Sequence, residues 1–194
     1  MRSATTTRTT KETDIRVKLD IDGNGISSID TGIPFLDHML DLFTKHGFFN
    51  LELTCNGDLE IDAHHTIEDI GIALGQTFKE ALGDKAGINR YGWSYLPMDE
   101  TLVRTVVDLS SRPYLVYHVD SPAVEVGGIN VRLFHEFFYA FMVNVGMNLH
   151  IELLYGEEAH HVFEAVFKGL SKAMCQAVEK NGRIDGVLST KGTF

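Results

Sequence analysis

The sequence predicts an α/β chain made of two repeated halves packed as one unit. Three observations carry that reading. A motif of the form A-H-H-x-x-E occurs twice, as Ala63-His64-His65-Thr66-Ile67-Glu68 and as Ala159-His160-His161-Val162-Phe163-Glu164. The patterns around both copies run in one order: strands, helix, strand, turn, His-His helix. No Pro/Gly/Ser-rich linker separates the copies. The halves, about 10–92 and 93–187, are therefore expected to form a single domain within 1–194.

The totals narrow the class. A hydrophobic share of 44% and a charged share of 23% are ordinary for a globular chain. Cys55 and Cys175 sit in unrelated settings, which argues against a disulfide framework and for a reducing cytoplasm. No run of 18 apolar residues is present, so no membrane span is expected. The first 14 residues lack the apolar core of a signal peptide. A net charge of −10 argues against nucleic acid as a partner.

Taken in order, residues 1–11 are Thr-rich, either a frayed tail or a first edge strand. Ile15, Val17, Leu19 and Ile21 alternate as a strand does. After the Asp22-Gly23-Asn24-Gly25 turn, Ile26 to Ile29 reads as the return strand of a hairpin. Pro34 suits a first helical turn, and Phe35 to Phe43 is amphipathic. Phe48 to Thr54 reads as a strand, Asn56-Gly57-Asp58 as a hairpin turn, and Leu59 to Asp62 as a strand leading into the first His pair. Ile67, Ile70, Leu74, Phe78 and Leu82 make the next helix, capped at Gly83.

The second half opens with a loop from Gly83 to Gly92. Strand material follows within Leu96–Leu109 and at Tyr114–Val119. Pro122 to Asn130 reads as loop, Val131 to Val145 as a Phe-rich helix, and Asn148 to Tyr155 as a strand. The second His pair then opens a helix that Asn181-Gly182 ends. Setting Asn50-Leu51 on Asn148-Leu149 gives an offset of 98, which places Phe43 on Phe141 and His38 on Glu136. The His pairs align at 96, so the second turn is two residues shorter.

On a helix, residues four apart share a face, so His64 goes with Glu68 and His160 with Glu164. The second His of each pair is turned by about 100° and aims elsewhere. Each copy thus offers a His/Glu chelate and a lone His for another ion. Imidazole with carboxylate suits Mn, Fe, Co or Zn. If a pseudo-twofold relates the halves, one ion takes His64, Glu68, His161 and Glu136. Its mate takes His160, Glu164, His65 and His38. Whether one chain or several supplies them stays open.

Several stretches together resemble the imidazoleglycerol-phosphate dehydratase family. They are Pro34-Phe35-Leu36-Asp37-His38-Met39-Leu40, His64-His65-Thr66-Ile67-Glu68-Asp69-Ile70-Gly71, Asn148-Leu149-His150, His160-His161-x-x-Glu164-Ala165-x-Phe167-Lys168 and Ser189-Thr190-Lys191-Gly192. The resemblance spans nearly the whole chain, and the monofunctional form, without a phosphatase domain, is expected. It implies two half-domains of the ribosomal protein S5 domain 2-like kind, each a four-stranded sheet backed by helices. It also implies a homo-oligomer, a 24-mer built from trimers, with two Mn2+ per subunit at subunit contacts.

The family's ligand pattern falls on His38, His65, His160 and Glu164 for one ion and on His64, Glu68 and His161 for the other. The eighth ligand is often a His in an E-H-F-F context. Here the order is His135-Glu136-Phe137-Phe138, so the resemblance and the repeat both nominate Glu136, with His135 in reserve. The implied reaction dehydrates imidazole glycerol phosphate to imidazole acetol phosphate, in histidine biosynthesis. It needs a proton removed from a carbon beside the ring, through an imidazolate and a diazafulvene-like intermediate, with metals as Lewis acids. The resemblance gives the proton-carrying carboxylate to Glu12. It gives substrate and phosphate binding to Glu12, His46, Arg90, Arg112, Lys168, Ser189, Thr190 and Lys191. Two rivals are a metal-dependent hydrolase and a non-catalytic assembly glued by metal.

Overall fold

The structure, a computed structural model, describes residues 2–193. Its first half runs β1 (Ser3–Thr9), β2 (Thr13–Asp20), β3 (Ser27–Asp30), α1 (Pro34–Gly47), β4 (Asn50–Gly57) and α2 (His64–Leu82). The second half repeats that order as β5 (Tyr91–Met98), β6 (Thr101–Asp108), β7 (Tyr114–His118), α3 (Arg132–Val145), β10 (Asn148–Tyr155) and α4 (Ala159–Val178). A small hairpin of β8 (Glu125–Val126) and β9 (Ile129–Asn130) is inserted before α3. No helix among the described residues is long and apolar enough to cross a membrane.

The sheets have orders β1-β2-β4-β3 and β5-β6-β10-β7. Ile15, Val17 and Leu19 alternate inward on β2, so one face of its sheet is apolar and must be covered. The helices cover it. α2 lies on β1 and β2, α4 lies on β5 and β6, and across the middle α1 meets α4 and α2 meets α3. The result is a sheet, two helix layers and a sheet. Phe43, Phe78 and Phe141 meet at its centre, with ring separations of 5.9–6.3 Å. Burying one such side chain contributes about 1.5–3 kcal/mol.

The four helices of the described residues all point the same way. Phe35 meets Phe134 and Phe43 meets Phe141, so α1 and α3 run parallel. His38 reaches Glu164, and the Phe43 carbonyl accepts from the Ser171 hydroxyl, so α1 and α4 run parallel. Gly71 and Gly75 of α2 lie against the Phe137 and Phe141 carbonyls of α3. A Cβ at either glycine would come within 2.7 Å of a carbonyl oxygen, so this close parallel crossing needs both. The four N-termini therefore gather at one end of the helix layer, where all the candidate metal ligands lie.

Several local expectations are corrected. The strand expected to return from Asp22-Gly23-Asn24-Gly25 does not pair with β2. It forms β3, which pairs in parallel with β4, because β4 inserts between them. Leu59 to Asp62 is a turn: Ile61 is exposed and no strand pairs with it. β4 runs on to Gly57, opposite Thr13, where a hairpin turn was expected. Residues 3–9 are an edge strand and not a frayed tail. β5 starts at Tyr91, inside the expected loop, and the 122–130 loop contains the β8–β9 hairpin.

Register defines the repeat more closely than residue matching does. Leu19 pairs with Leu51, and Val107 pairs with Leu149. The first two strands of each half therefore correspond at an offset of 88. The connection from β3 to α1 covers residues 31–33 and that from β7 to α3 covers 119–131. The ten extra residues in the second connection turn 88 into 98.

Candidate functional site

The best-formed cluster lies where α1 meets α4. His38 Nε2 is 2.9 Å and His160 Nε2 3.1 Å from the same Glu164 oxygen. Lys168 Nζ donates to the other Glu164 oxygen at 2.5 Å. The candidate ligand atoms of His38, His160 and Glu164 lie within 4.8 Å of one another. Two imidazoles and a carboxylate this close fit a first-row divalent ion. Burial alone would push the Glu164 carboxyl up. The hydrogen bonds from Lys168 and His38 outweigh it and hold that group at about 2, ionised and ready to ligate. His46 lies farther along α1, where burial first, then the charges of Lys168 and Lys172, lower its pKa.

The mate of this cluster, on α2 and α3, is only half drawn together. His64 Nε2 is 3.5 Å from Glu68 across one helical turn. Glu136 turns to its neighbour and accepts a hydrogen bond from His135 Nδ1 at 3.1 Å. His135 is further fixed edge-on to Tyr117 and stacked on Tyr139. Among the described residues no second group of three is as tight as the first.

The second His of each pair does turn aside. His65 Nδ1 donates to Asp58 at 2.9 Å, and its Nε2 lies 3.8 Å from Glu12. His161 Nδ1 donates to Glu100 at 2.8 Å, and its Nε2 lies 3.9 Å from Asp99. These bonds raise both imidazole pKa values. Glu100 is held at about 2 by His161 first, with help from Thr101 and the Glu157 amide. Neither Asp58, Asp99 nor Glu100 stood out from spacing. Glu100 becomes visible only at the 88 offset, where Lys11-Glu12-Thr13 falls on Asp99-Glu100-Thr101.

A separate open pocket of about 950 Å³ is lined by Arg90, Arg112, Ser189, Thr190 and Lys191, five residues the family resemblance nominated for phosphate. Arg183 lines it too and was missed, because a lone Arg in a polar tail carries no pattern. Arg90 forms a bidentate pair with Asp108 at 2.6 and 3.0 Å and donates to the Leu188 carbonyl at 2.7 Å. It thus straps the tail that carries Ser189 onto the sheet. Buried Lys85 donates to the Leu109 carbonyl and the Ser111 hydroxyl, fixing the turn that bears Arg112. Lys168 and His46 are not part of this pocket.

The pocket and the metal end are far apart in one chain. The Arg90 amide donates to the Ala177 carbonyl near the end of α4, whereas His160 opens that helix. Seventeen residues at about 1.5 Å each separate them by roughly 25 Å.

Comparison with known proteins points one way. A family model described as imidazoleglycerol-phosphate dehydratase matches residues 31–174. The chain is 56% identical to the imidazoleglycerol-phosphate dehydratase of Geobacter sulfurreducens, over 98% of each chain. To that of Pelobacter propionicus it is 58% identical, over 100% of this chain and 99% of the other. The crystal structure of the Staphylococcus aureus protein of that name superposes with a TM-score of 0.84 at 40% identity, covering 92% of this chain and 99% of the other. The Pyrococcus furiosus structure gives 0.85 at 38% identity, covering 97% and 100%.

Proposed function

The chain belongs to the imidazoleglycerol-phosphate dehydratase family, and from that premise we propose a two-manganese dehydration of D-erythro-imidazole glycerol phosphate to imidazole acetol phosphate. The hydro-lyase activity and its place in histidine biosynthesis follow from membership. The family implies a metal cofactor, and the observation that carries the metal reading is the His38, His160 and Glu164 cluster. His65 completes that set. His64, Glu68, His161 and Glu136 make the other, with His135 as the hydrogen-bond donor that steadies Glu136 and not its substitute. When bound, manganese supplies Lewis-acid stabilisation of charge developing on the imidazole ring.

The chain's own groups do the rest. Glu12 stands half exposed, 3.8 Å from His65, and among the described residues its carboxylate has no hydrogen bond, which suits a group that carries a proton. Since the ketone of imidazole acetol phosphate falls on the middle carbon, Glu12 takes the proton from that carbon and not from the ring-attached carbon first expected. The hydroxyl on the ring-attached carbon leaves as water, and the enol becomes the ketone as the ring-attached carbon gains a proton. Arg112, Arg183, Lys191, Ser189 and Thr190 offer cations and hydroxyls to the phosphate, and Arg90 braces them.

A three-carbon chain between ring and phosphate cannot span roughly 25 Å of helix. The metal end of one copy therefore works with the phosphate pocket of another, which requires a homo-oligomer; the 24-mer is the size that the resemblance implies. The outer face of the second sheet suits such contacts, since Trp93, Tyr95 and Tyr114 stand exposed there. The partly buried free cysteines fit a reducing cytoplasm.

The test is an assay for ketone from imidazole glycerol phosphate with and without added Mn2+. Ketone formation that follows manganese supports the reading. Phosphate release in its place would make the chain a hydrolase, and metal-replete protein without turnover would leave a structural assembly.

A further inference from the structure

We propose that Asp58 and Glu100 are paired positioning residues, each holding one histidine, His65 or His161, with Nε2 turned out as the ligating atom. The inference rests on the metal reading above and deepens it.

An ionised carboxylate only accepts hydrogen bonds. The 2.9 Å contact of Asp58 with His65 Nδ1 and the 2.8 Å contact of Glu100 with His161 Nδ1 therefore place a proton on each Nδ1. In the neutral ring that leaves the lone pair on Nε2. His38 and His160 also turn Nε2 toward a candidate ligand, Glu164, and His64 turns Nε2 toward Glu68. All five histidines thus present the same atom. His38, His64 and His160 do so beside a carboxylate ligand, whereas His65 and His161 need an outside group to fix the ring. A ligating imidazole commonly has such a partner on its other nitrogen.

The two carboxylates come from different places in the repeat. Asp58 sits in the β4–α2 loop, and the second copy of that loop is the one shortened. Glu100 reaches the same ring position from the β5–β6 turn. Different elements of the two halves thus supply the same contact, which inheritance of one ancestral bond does not explain. Each carboxylate also fits the role in its own way. Glu100 Oε1 accepts from Thr101 and from the Glu157 and Glu158 amides, so Oε2 is presented rigidly to His161. Asp58 Oδ1 is buried with no hydrogen-bond partner, so that side chain is not held there by its own needs.

Metal-stripped wild type, Asp58→Ala, Glu100→Gln and Glu100→Ala are titrated with manganese chloride, and free Mn2+ is counted by electron paramagnetic resonance. The melting temperature of each metal-free protein is recorded alongside. Asp58→Ala and Glu100→Ala should each weaken one class of site by about 10–100-fold and leave the other class unchanged. Glu100→Gln should fall between wild type and Ala, since its amide oxygen still accepts from Nδ1. Metal-free melting should stay level in Asp58→Ala and Glu100→Gln, whereas Glu100→Ala also removes the acceptor of Thr101 and of the Glu157 and Glu158 amides and should melt lower. Unchanged affinity in the variants, or losses in Asp58→Ala or Glu100→Gln that track a drop in metal-free melting, would overturn the inference alone. Wild type that takes up no manganese would overturn the metal reading first and the inference with it.

Discussion

Glu12 and Glu100 occupy the same position in the two halves, each just ahead of the middle strand that pairs on both sides, yet they stand in opposite states. Glu100 is tied by His161, Thr101 and two backbone amides. Glu12 lies 3.8 Å from His65 and its side chain is half exposed. The cause is the neighbouring loop. In the first half the longer β4–α2 loop brings Asp58 to the histidine, and Glu12 is released. In the second half that loop is two residues shorter and Glu100 does the holding. On the reading proposed above, the carboxylate of one half is given to positioning and that of the other is left to carry a proton.

The sharpest way to break this comparison is Glu12→Gln. The change keeps size and hydrogen bonding but removes the carboxylate proposed to carry the proton. Turnover with saturating manganese should fall by roughly 10²–10⁴, with metal content and assembly intact. Steady-state kcat measured beside Glu100→Gln checks the division of labour. Near-normal turnover in Glu12→Gln would return Glu12 to the solvated surface.

The next largest effect concerns the looser metal set. Glu136→Ala should cost one manganese per subunit by metal analysis, together with most of the activity. Glu136→His should keep the ion, because imidazole and carboxylate both bind Mn2+. His135→Ala should cost less, since His135 donates to Glu136 and is not placed as a ligand. Metal loss in His135→Ala equal to that in Glu136→Ala would exchange the two roles.

These contrasts also mark what the sequence could carry. The helices were legible because their apolar stripes repeat every turn, as in Ile67, Ile70, Leu74 and Phe78 of α2. The His38, His160 and Glu164 grouping was legible because a repeated motif under twofold symmetry restricts which ligands meet. The β3–β4 pairing was not, since a short strand does not state its neighbour and a turn before it suggests a hairpin. Glu100 was hidden because the 119–131 insertion shifts the offset from 98 to 88, and residue matching at 98 passes over it. Arg183 and Asp58 were hidden because their roles arise only when distant loops meet.

The two sheets differ in the same graded way. By register, the row Thr5, Lys18, Glu52 and Ser28 on the first outer face corresponds to Trp93, Val106, His150 and Val116 on the second. Lys18 pairs with Glu52 at 2.6 Å, so one face is suited to water and the other to contact. On the inner faces the relation reverses in size. Ala4 and Gly92 are equivalent, paired with Leu19 and Val107.

That inner pair gives the smallest and most local prediction. A Cβ at Gly92 would come within 1.8 Å of the Ala173 carbonyl of α4, so the helix sits on bare backbone there. In the first half Ala4 is buried and its methyl is accommodated, so α2 does not approach as closely. Gly92→Ala should therefore force α4 away from its sheet and destabilise by about 1–3 kcal/mol, as overpacking does. Ala4→Gly should cost about 0.5–1 kcal/mol, from greater backbone freedom in the unfolded chain. Denaturant melts of the two variants at equal concentration compare them directly. Equal and small losses would mean that α4 shifts readily on β5, and the closer packing assigned to the second half would then be wrong.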